Sequence, residues 1–380
     1  PAAEVTKGFL YNRPFEDPKN SFIEPDLETP SNFNDVLLKI MSHENMASRK
    51  PLYEKYDKQV QGRTHFESGL ADSGVLTPFN SNKYPSEIQK IGIALSTDHN
   101  PRYGLISPYW VGVMATVEAM RNVAAVGATP HAVTDCLCFG NPEKPKQMWE
   151  FVESTRGISD ACNTITLKEH PESPTPIIAG NVSFYNESKS GPIPPSPIVS
   201  CLGKIENAEK SITMSFQKKD SLILMIGTRK NELGGSIYYD LFDQLGANVP
   251  RPDLLEVRNE IFSLTTCIDK ELVLACHDIS DGGIASALSE MTFENNIGCN
   301  INFETKLKPE TFLFSETGGF ILEVDQENLI ELQKEFLINN IETFIIGKTT
   351  DENFIELNNK ISIDLNIVKD VWRSGLRDKL

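Results

Sequence analysis

The sequence contains no apolar run approaching the roughly 18–20 residues that a membrane-crossing helix requires, so it reads as a soluble chain. Basic charge is scarce as well: Lys and Arg number 36 against 53 Asp and Glu, a formal net charge of −17. Without a basic face, neither nucleic acid nor an anionic membrane finds a broad electrostatic partner. A phosphate ligand is still allowed, because a few backbone N–H groups and a metal ion can hold one inside an acidic protein. Zinc and redox spacings are missing from the seven cysteines, an odd number found mostly in apolar runs such as Leu272-Val273-Leu274-Ala275-Cys276. They read as reduced core residues, and Cys136-x-Cys138 would place both thiols on one side of a strand. No short-period repeat is visible. The chain begins at Pro1 with no basic-plus-apolar signal, which leads us to expect a cytoplasmic protein processed or excised from a longer chain.

What is present fits two soluble domains: 380 residues, 39% hydrophobic and 23% charged, against a prior of roughly 100–200 residues per domain. Residues 1–35, with Pro14, Pro18, Pro25 and Pro30 and no sustained periodicity, read as a linker or strap. Residues 36–206 then show strands alternating with helices, the pattern of an α/β domain. After a short amphipathic helix over 34–42, the strand at 91–98 runs into Asp98-His99-Asn100. Val113, Val117, Met120, Val123 and Ala124 fall at helical spacing in a helix over 109–126, with Gly127 as its cap. A strand through Asp135, a helix over 146–163, and strands at 176–183 and 198–203 follow.

The strand at 176–183 is the most suggestive stretch. Pro176-Ile177-Ile178-Ala179 breaks into Gly180-Asn181-Val182-Ser183. The glycine lets a ligand approach the backbone, and period-two alternation puts Asn181 and Ser183 on one face. An ordinary polar turn has the same composition. Three strands thus end in polar residues, Asp98, Asp135 and Asn181, and in open α/β sheets ligands collect at the carboxyl ends of strands.

A composition shift at 206–219 marks a boundary, and residues 207–380 read as an α+β unit. It opens with a strand at 221–227 and continues through helices near 236–245 and 253–268 and a strand at 272–276. His277-Asp278-Ile279-Ser280-Asp281-Gly282-Gly283 then leads into a helix at 284–293. Paired glycines after polar residues at a helix start are either a phosphate-facing terminus or a structural cap.

Four motifs occur in an order that resembles phosphoribosylformylglycinamidine synthase. They are Thr134-Asp135-Cys136-Leu137-Cys138-Phe139-Gly140-Asn141-Pro142-Glu143-Lys144-Pro145, Gly180-Asn181-Val182-Ser183-Phe184-Tyr185-Asn186-Glu187, Asn231-Glu232-Leu233-Gly234-Gly235-Ser236 and the run from His277 to Gly283. The resemblance covers nearly the whole chain but only the C-terminal half of that enzyme, the second copy of an ATP-binding α/β domain followed by an α+β domain. The fold it implies is that of aminoimidazole ribonucleotide synthetase. The half bearing the family's catalytic Trp-Ser-Glu-His-Cys motif is not in this sequence, and no histidine here takes its role. Carried over by position, the resemblance implies an ATP contact at Asp135, a nucleotide-approach glycine at Gly180, a Mg²⁺ ligand at Asn181 and a substrate contact at Ser183. Asp98, Asn100, Arg121, Asn122, His277 and Asp278 are further polar candidates without an implied role.

The implied activity is ATP-dependent conversion of formylglycinamide ribonucleotide and ammonia to the amidine. Mg²⁺ would be the cofactor, and the N-terminal half and a glutaminase the partners. A scaffold module that binds nucleotide without catalysis is the alternative, and a different substrate within the superfamily a third. One departure stands out: Ser315-Glu316-Thr317-Gly318-Gly319 occupies the place of a substrate-binding Glu-Ser-Gln run. A half that expects a pseudo-symmetric partner should also expose an apolar face and self-associate when alone.

Overall fold

The computed structural model describes residues 7, 8 and 11–380, so part of the expected strap lies outside the described residues. The first helix, α1 (Phe33–Met41), starts where the Asn32 side chain accepts the N–H groups of Asn34 and Asp35, satisfying donors that a helix leaves unpaired. Its apolar stripe of Phe33, Val36, Leu37, Ile40 and Met41 packs in the core of the second unit and not with the α/β strands that follow it in sequence. Asn34 fixes it there, donating to the Ser362 carbonyl at 2.9 Å and accepting the Ser362 N–H at 3.0 Å.

The α/β unit is built from β1 (Gly74–Leu76), β2 (Gly92–Asp98), α2 (Pro108–Ala125), β3 (Thr129–Cys138), α3 (Pro145–Thr164), β4 (Ile177–Ser183) and β5 (Ser196–Ile205). The strand order is β1-β2-β5-β3-β4. Only β3 and β4 pair in parallel, through the α3 crossover, because β5 inserts antiparallel between β2 and β3. The alternating burial of β5 shows what the sheet does: one face is packed under helices and the other is open.

The second unit carries β6 (Leu222–Ile226), α4 (Leu254–Asp269), β7 (Ala275–Asp278), α5 (Gly283–Thr292), β8 (Gly298–Ile301), β9 (Phe320–Val324), α6 (Leu329–Ile338), β10 (Thr343–Thr350), β11 (Phe354–Leu357), β12 (Ile361–Asp364) and α7 (Leu365–Arg377). Its seven strands run in the order β7-β9-β6-β10-β8-β11-β12, antiparallel apart from β8 with β11. Leu222, Leu224 and Ile226 of β6 face α4, while Ile223 and Met225 face α5 and α1, so both sides of this sheet are covered.

Two sequence expectations shift. The strand expected at 272–276 is Ala275–Asp278, which makes His277 and Asp278 buried strand residues and not loop residues. The helix expected at 236–245 is the single turn Ile237–Asp240. Asp243 and Gly246 take left-handed φ values of 53° and 76°, which an α-helix does not contain.

Helix α2 ties the units together. It is buried around most of its circumference, and its Val113, Val117, Met120 and Val123 share one core with the first sheet and with Val257, Ile261 and Leu264 of α4. A helix of that kind must be covered on all sides.

Candidate active site

The strand register sorts the sequence candidates by face. Asp98 pairs with Val199, Val199 with Asp135, and Asp135 with Gly180, so four residues form one row across β2, β5, β3 and β4. At about 4.8 Å per strand, Asp98 and Asp135 stand roughly 10 Å apart. This row faces the helices. Asn181 and Ser183 share the opposite, open face, as the period-two reading requires, opposite Cys136 and Cys138 of β3. The structure thus brings Asp135 to Gly180 and Asn181 to Ser183, and separates the two pairs by the thickness of the sheet.

Gly180 has a local reason to lack a side chain. A Cβ there would lie 2.5 Å from Asp135 Oδ1, so the Asp135 carboxylate occupies the space that the sequence reading left for a ligand. Desolvation raises the Asp135 pKa. Ser183 is held by Asn186, whose amide donates to the Ser183 carbonyl at 2.8 Å, to its hydroxyl at 3.1 Å and to the Phe139 carbonyl at 3.1 Å.

Asp98, at the end of the helix-facing row, opens onto a concentration of acid. A cavity of about 320 Å³ between the two units is lined by Asp72, Glu118, Asn122, His277, Asp278 and Asp281, among others. Glu118 and Asn122 lie one turn apart on α2, on the same face. Asp98 and Glu118 are hydrogen-bonded to each other, and burial, then mutual repulsion with the neighbouring aspartates, pushes both well above the usual carboxylate range. Burial, with Asp72 adding to it, raises Asp278 to about 7. Burial also raises Asp281 to about 6, against the hydrogen bond it accepts from Asn100 at 3.2 Å.

His277 balances part of this charge. Burial would push its pKa down, but Asp72 at 2.7 Å from Nδ1 and Glu290 at 3.2 Å from Nε2 outweigh it and hold the ring well above its ordinary value. The other Asp72 oxygen accepts the Asp278 N–H at 3.0 Å, fixing the backbone beneath the Asp278 carboxylate. Asp278 Oδ2 is buried with no hydrogen-bond partner. Asp72, His277 and Asp278 offer ligand atoms within 4.8 Å of one another. An excess of carboxylates, an orphaned carboxylate oxygen and an amide suit a hard divalent cation that takes oxygen ligands.

The remaining candidates are structural. Arg121, from α2, reaches Glu260 of α4 at 3.6 Å, both buried, and its guanidinium fills the space beside Gly318 where any Cβ would overlap it. The glycine turn before α5 is not free for phosphate: Glu316 Oε1 accepts the N–H groups of Gly282 and Ile237, each at 2.9 Å, and Glu316 Oε2 accepts the Tyr103 hydroxyl at 2.6 Å. The Ser315–Gly319 run therefore supplies its own carboxyl acceptor to this cradle.

Sequence reasoning missed Glu118, Asp72 and Asp281. Glu118 had a signal, the one acid of a largely apolar helix, four residues before an asparagine. Asp281 lay within a noted motif, and Asp72 sits in an irregular segment with no pattern to mark it.

Comparisons with known proteins follow the same division. The model of the AIR synthase related protein, N-terminal domain, matches residues 72–205, and that of the AIR synthase related protein, C-terminal domain, matches 218–358. The phosphoribosylformylglycinamidine synthase subunit PurL of Methanothrix thermoacetophila is 39% identical over 386 residues, covering 100% of this chain and 49% of its own length. The chain spans about half the length of the curated relatives it matches. Among solved structures, Thermotoga maritima PurL complexed with FGAR superposes with a TM-score of 0.69 at 16% identity, over 89% of this chain and 53% of that one. The same protein complexed with ATP gives 0.64 at 17% identity, over 89% and 52%. At these identities the likeness is one of fold.

Proposed function

Because the chain belongs to the AIR synthase related protein family, carrying its N-terminal and C-terminal domains in tandem, we propose that it works as the C-terminal half of a phosphoribosylformylglycinamidine synthase. In this reading ATP phosphorylates the formyl-amide oxygen of formylglycinamide ribonucleotide, and ammonia from a glutaminase displaces phosphate to give the amidine. The observation that carries the reading is the acidic cleft between the two units, with its unpaired Asp278 oxygen. Asp98, Glu118 and Asp278, with the Asn122 amide, would hold Mg²⁺. When bound, the ion neutralises phosphate charge, the main requirement of phosphoryl transfer. His277, Asp72 and Glu290 position Asp278 for that role.

The residues implied by resemblance are assigned by the two faces of the first sheet. Asp135 and Gly180 stand on the helix side of the sheet, in the row with Asp98, and are assigned to the ATP side. Asn181 and Ser183, on the open face, are assigned to a metal-bound substrate held against the other half. That face also presents Leu76 and Leu95, 45% and 51% exposed, a surface suited to the N-terminal half or, without it, to a second copy. No helix among the described residues is long and apolar enough to cross a membrane, and we place the chain with its partners in the cytoplasm.

The test is reconstitution. Mixed with a separately expressed N-terminal half, ATP, Mg²⁺ and glutaminase or ammonia, the chain should restore amidine formation, and alone it should turn nothing over. Asn181→Ala and Asp278→Asn should each lower the restored rate and raise the Mg²⁺ concentration required. Full rates at unchanged Mg²⁺ dependence from both variants would leave the scaffold reading in place of this one. Failure of the wild-type mixture would remove both.

A further inference from the structure

Of the seven cysteines, five are buried, and only Cys136 and Cys138 reach the surface. Their sulfurs stand 3.8 Å apart on the open face of the sheet. Cys136 lies between Asn181 and Ile198, and Cys138 between Ser183 and Ser196, on the strands either side of β3. Two positions along a strand advance about 6.6 Å, at the upper end of the roughly 4.4–6.8 Å between Cα atoms that a disulfide spans. In a flat strand the two Cβ atoms stand about as far apart as the Cα atoms, beyond the about 3.5–4.5 Å that a disulfide spans, so the bond closes only as the end of β3 puckers and under strain, and strained, exposed disulfides are the readily reduced ones. Burial, then the neighbouring Cys136 sulfur, pushes the Cys138 thiol above its ordinary value, and both cysteines are free of any disulfide.

We propose that Cys136 and Cys138 form a reversible modification site for small disulfides of the glutathione class. The thiolate of one cysteine attacks a sulfur of the external disulfide, breaking its S–S bond and releasing one thiol. The second cysteine, as thiolate, attacks the protein-side sulfur of the mixed disulfide, forming the Cys136–Cys138 bond and releasing the second thiol. The two protein thiols lose two protons and two electrons, and the external disulfide gains them. The site rests on the dithiol alone and holds whether or not the proposed synthase activity does.

The experiment is to incubate the full native chain with oxidised glutathione, quench with acid, alkylate and measure intact mass. The wild type should lose two hydrogens, map the change to the peptide containing both cysteines, and recover on reduction with dithiothreitol. Cys136→Ser and Cys138→Ser, both at partly exposed positions, should instead each gain one persistent glutathionyl group. A wild-type chain that keeps one or two glutathionyl groups would show two independent thiols and overturn the proposal. So would a native chain that fails to react while its denatured form does.

Discussion

Asp278 offers the most direct handle on the cleft, because the burial of its carboxylate, with Oδ2 lacking a hydrogen-bond partner, should be visible in stability before any substrate is added. Unfolded, an aspartate titrates near 3.8, whereas in the folded cleft it titrates at about 7. Between those values the native state holds a proton that the unfolded state has released, so stability falls as pH rises through the window and levels off above it. A rise of about 3 pH units at about 1.4 kcal/mol each corresponds to about 4 kcal/mol. For a chain of this length, at about 2 cal/mol/K per residue, that is about 5 °C in Tm if it unfolds as one unit. Asp281 and Glu316, raised to about 6 and about 8, act in the same direction. His277, held well above 6.5, contributes fully below 6.5 and loses its contribution only as pH passes its raised value. Calorimetry in EDTA at pH 5.5 and pH 8 should therefore show a drop in Tm, and Asp278→Asn should remove about 2–3 °C of it, the share of the about 4 kcal/mol that falls between pH 5.5 and about 7. Millimolar Mg²⁺ at pH 8 should restore the wild type but not the variant. A pH-independent Tm, or equal Mg²⁺ rescue of both proteins, would refute the assignment of this cleft as a cation site.

Gly180→Ala should cost about 1–3 kcal/mol by overpacking against the Asp135 carboxylate, and Asp135→Ala in the same chain should recover most of it; strictly additive urea midpoints would show that the two do not interact. Arg121→Ala leaves Glu260 buried without its partner and should cost about 3–5 kcal/mol, whereas Arg121→Met with Glu260→Leu should lose much less, as read by chemical denaturation. Leu95→Glu, in the middle of the open face, should abolish self-association in sedimentation velocity while leaving the circular dichroism spectrum unchanged; an unaltered sedimentation profile would direct attention to another surface.

The alternation of strands and helices was legible because buried segments and their caps are local features. So was the parity of β4, since Asn181 and Ser183 must share a face wherever the strand lies. What could not be read was the insertion of β5 between β2 and β3, which sets Asp98 and Asp135 two strands apart in one row. That register depends on residues a hundred positions away. The home of α1 was hidden for a similar reason: its stripe fits any apolar surface, and only Ser362 and its neighbours decide which. The glycine turn before α5 had the local signature of an anion site. Its occupant proved to be the Glu316 carboxyl, 34 residues further on, and no local pattern announces such a pairing. Asp72 contributes a carboxylate from a segment whose sequence gives no periodicity to interpret.

Helix α2 bears on how this protein can be divided. Its apolar surface is shared between the sheet of the first unit and α4 of the second, so the connector at 206–219 joins two bodies that are not separately water-compatible. Proteolysis there, or expression of residues 36–206 alone, should yield fragments with a greasy flank that aggregate or remain associated. A nick that leaves both pieces bound together would be tolerated. The smallest unit that can be exchanged, swapped or fused is therefore the pair.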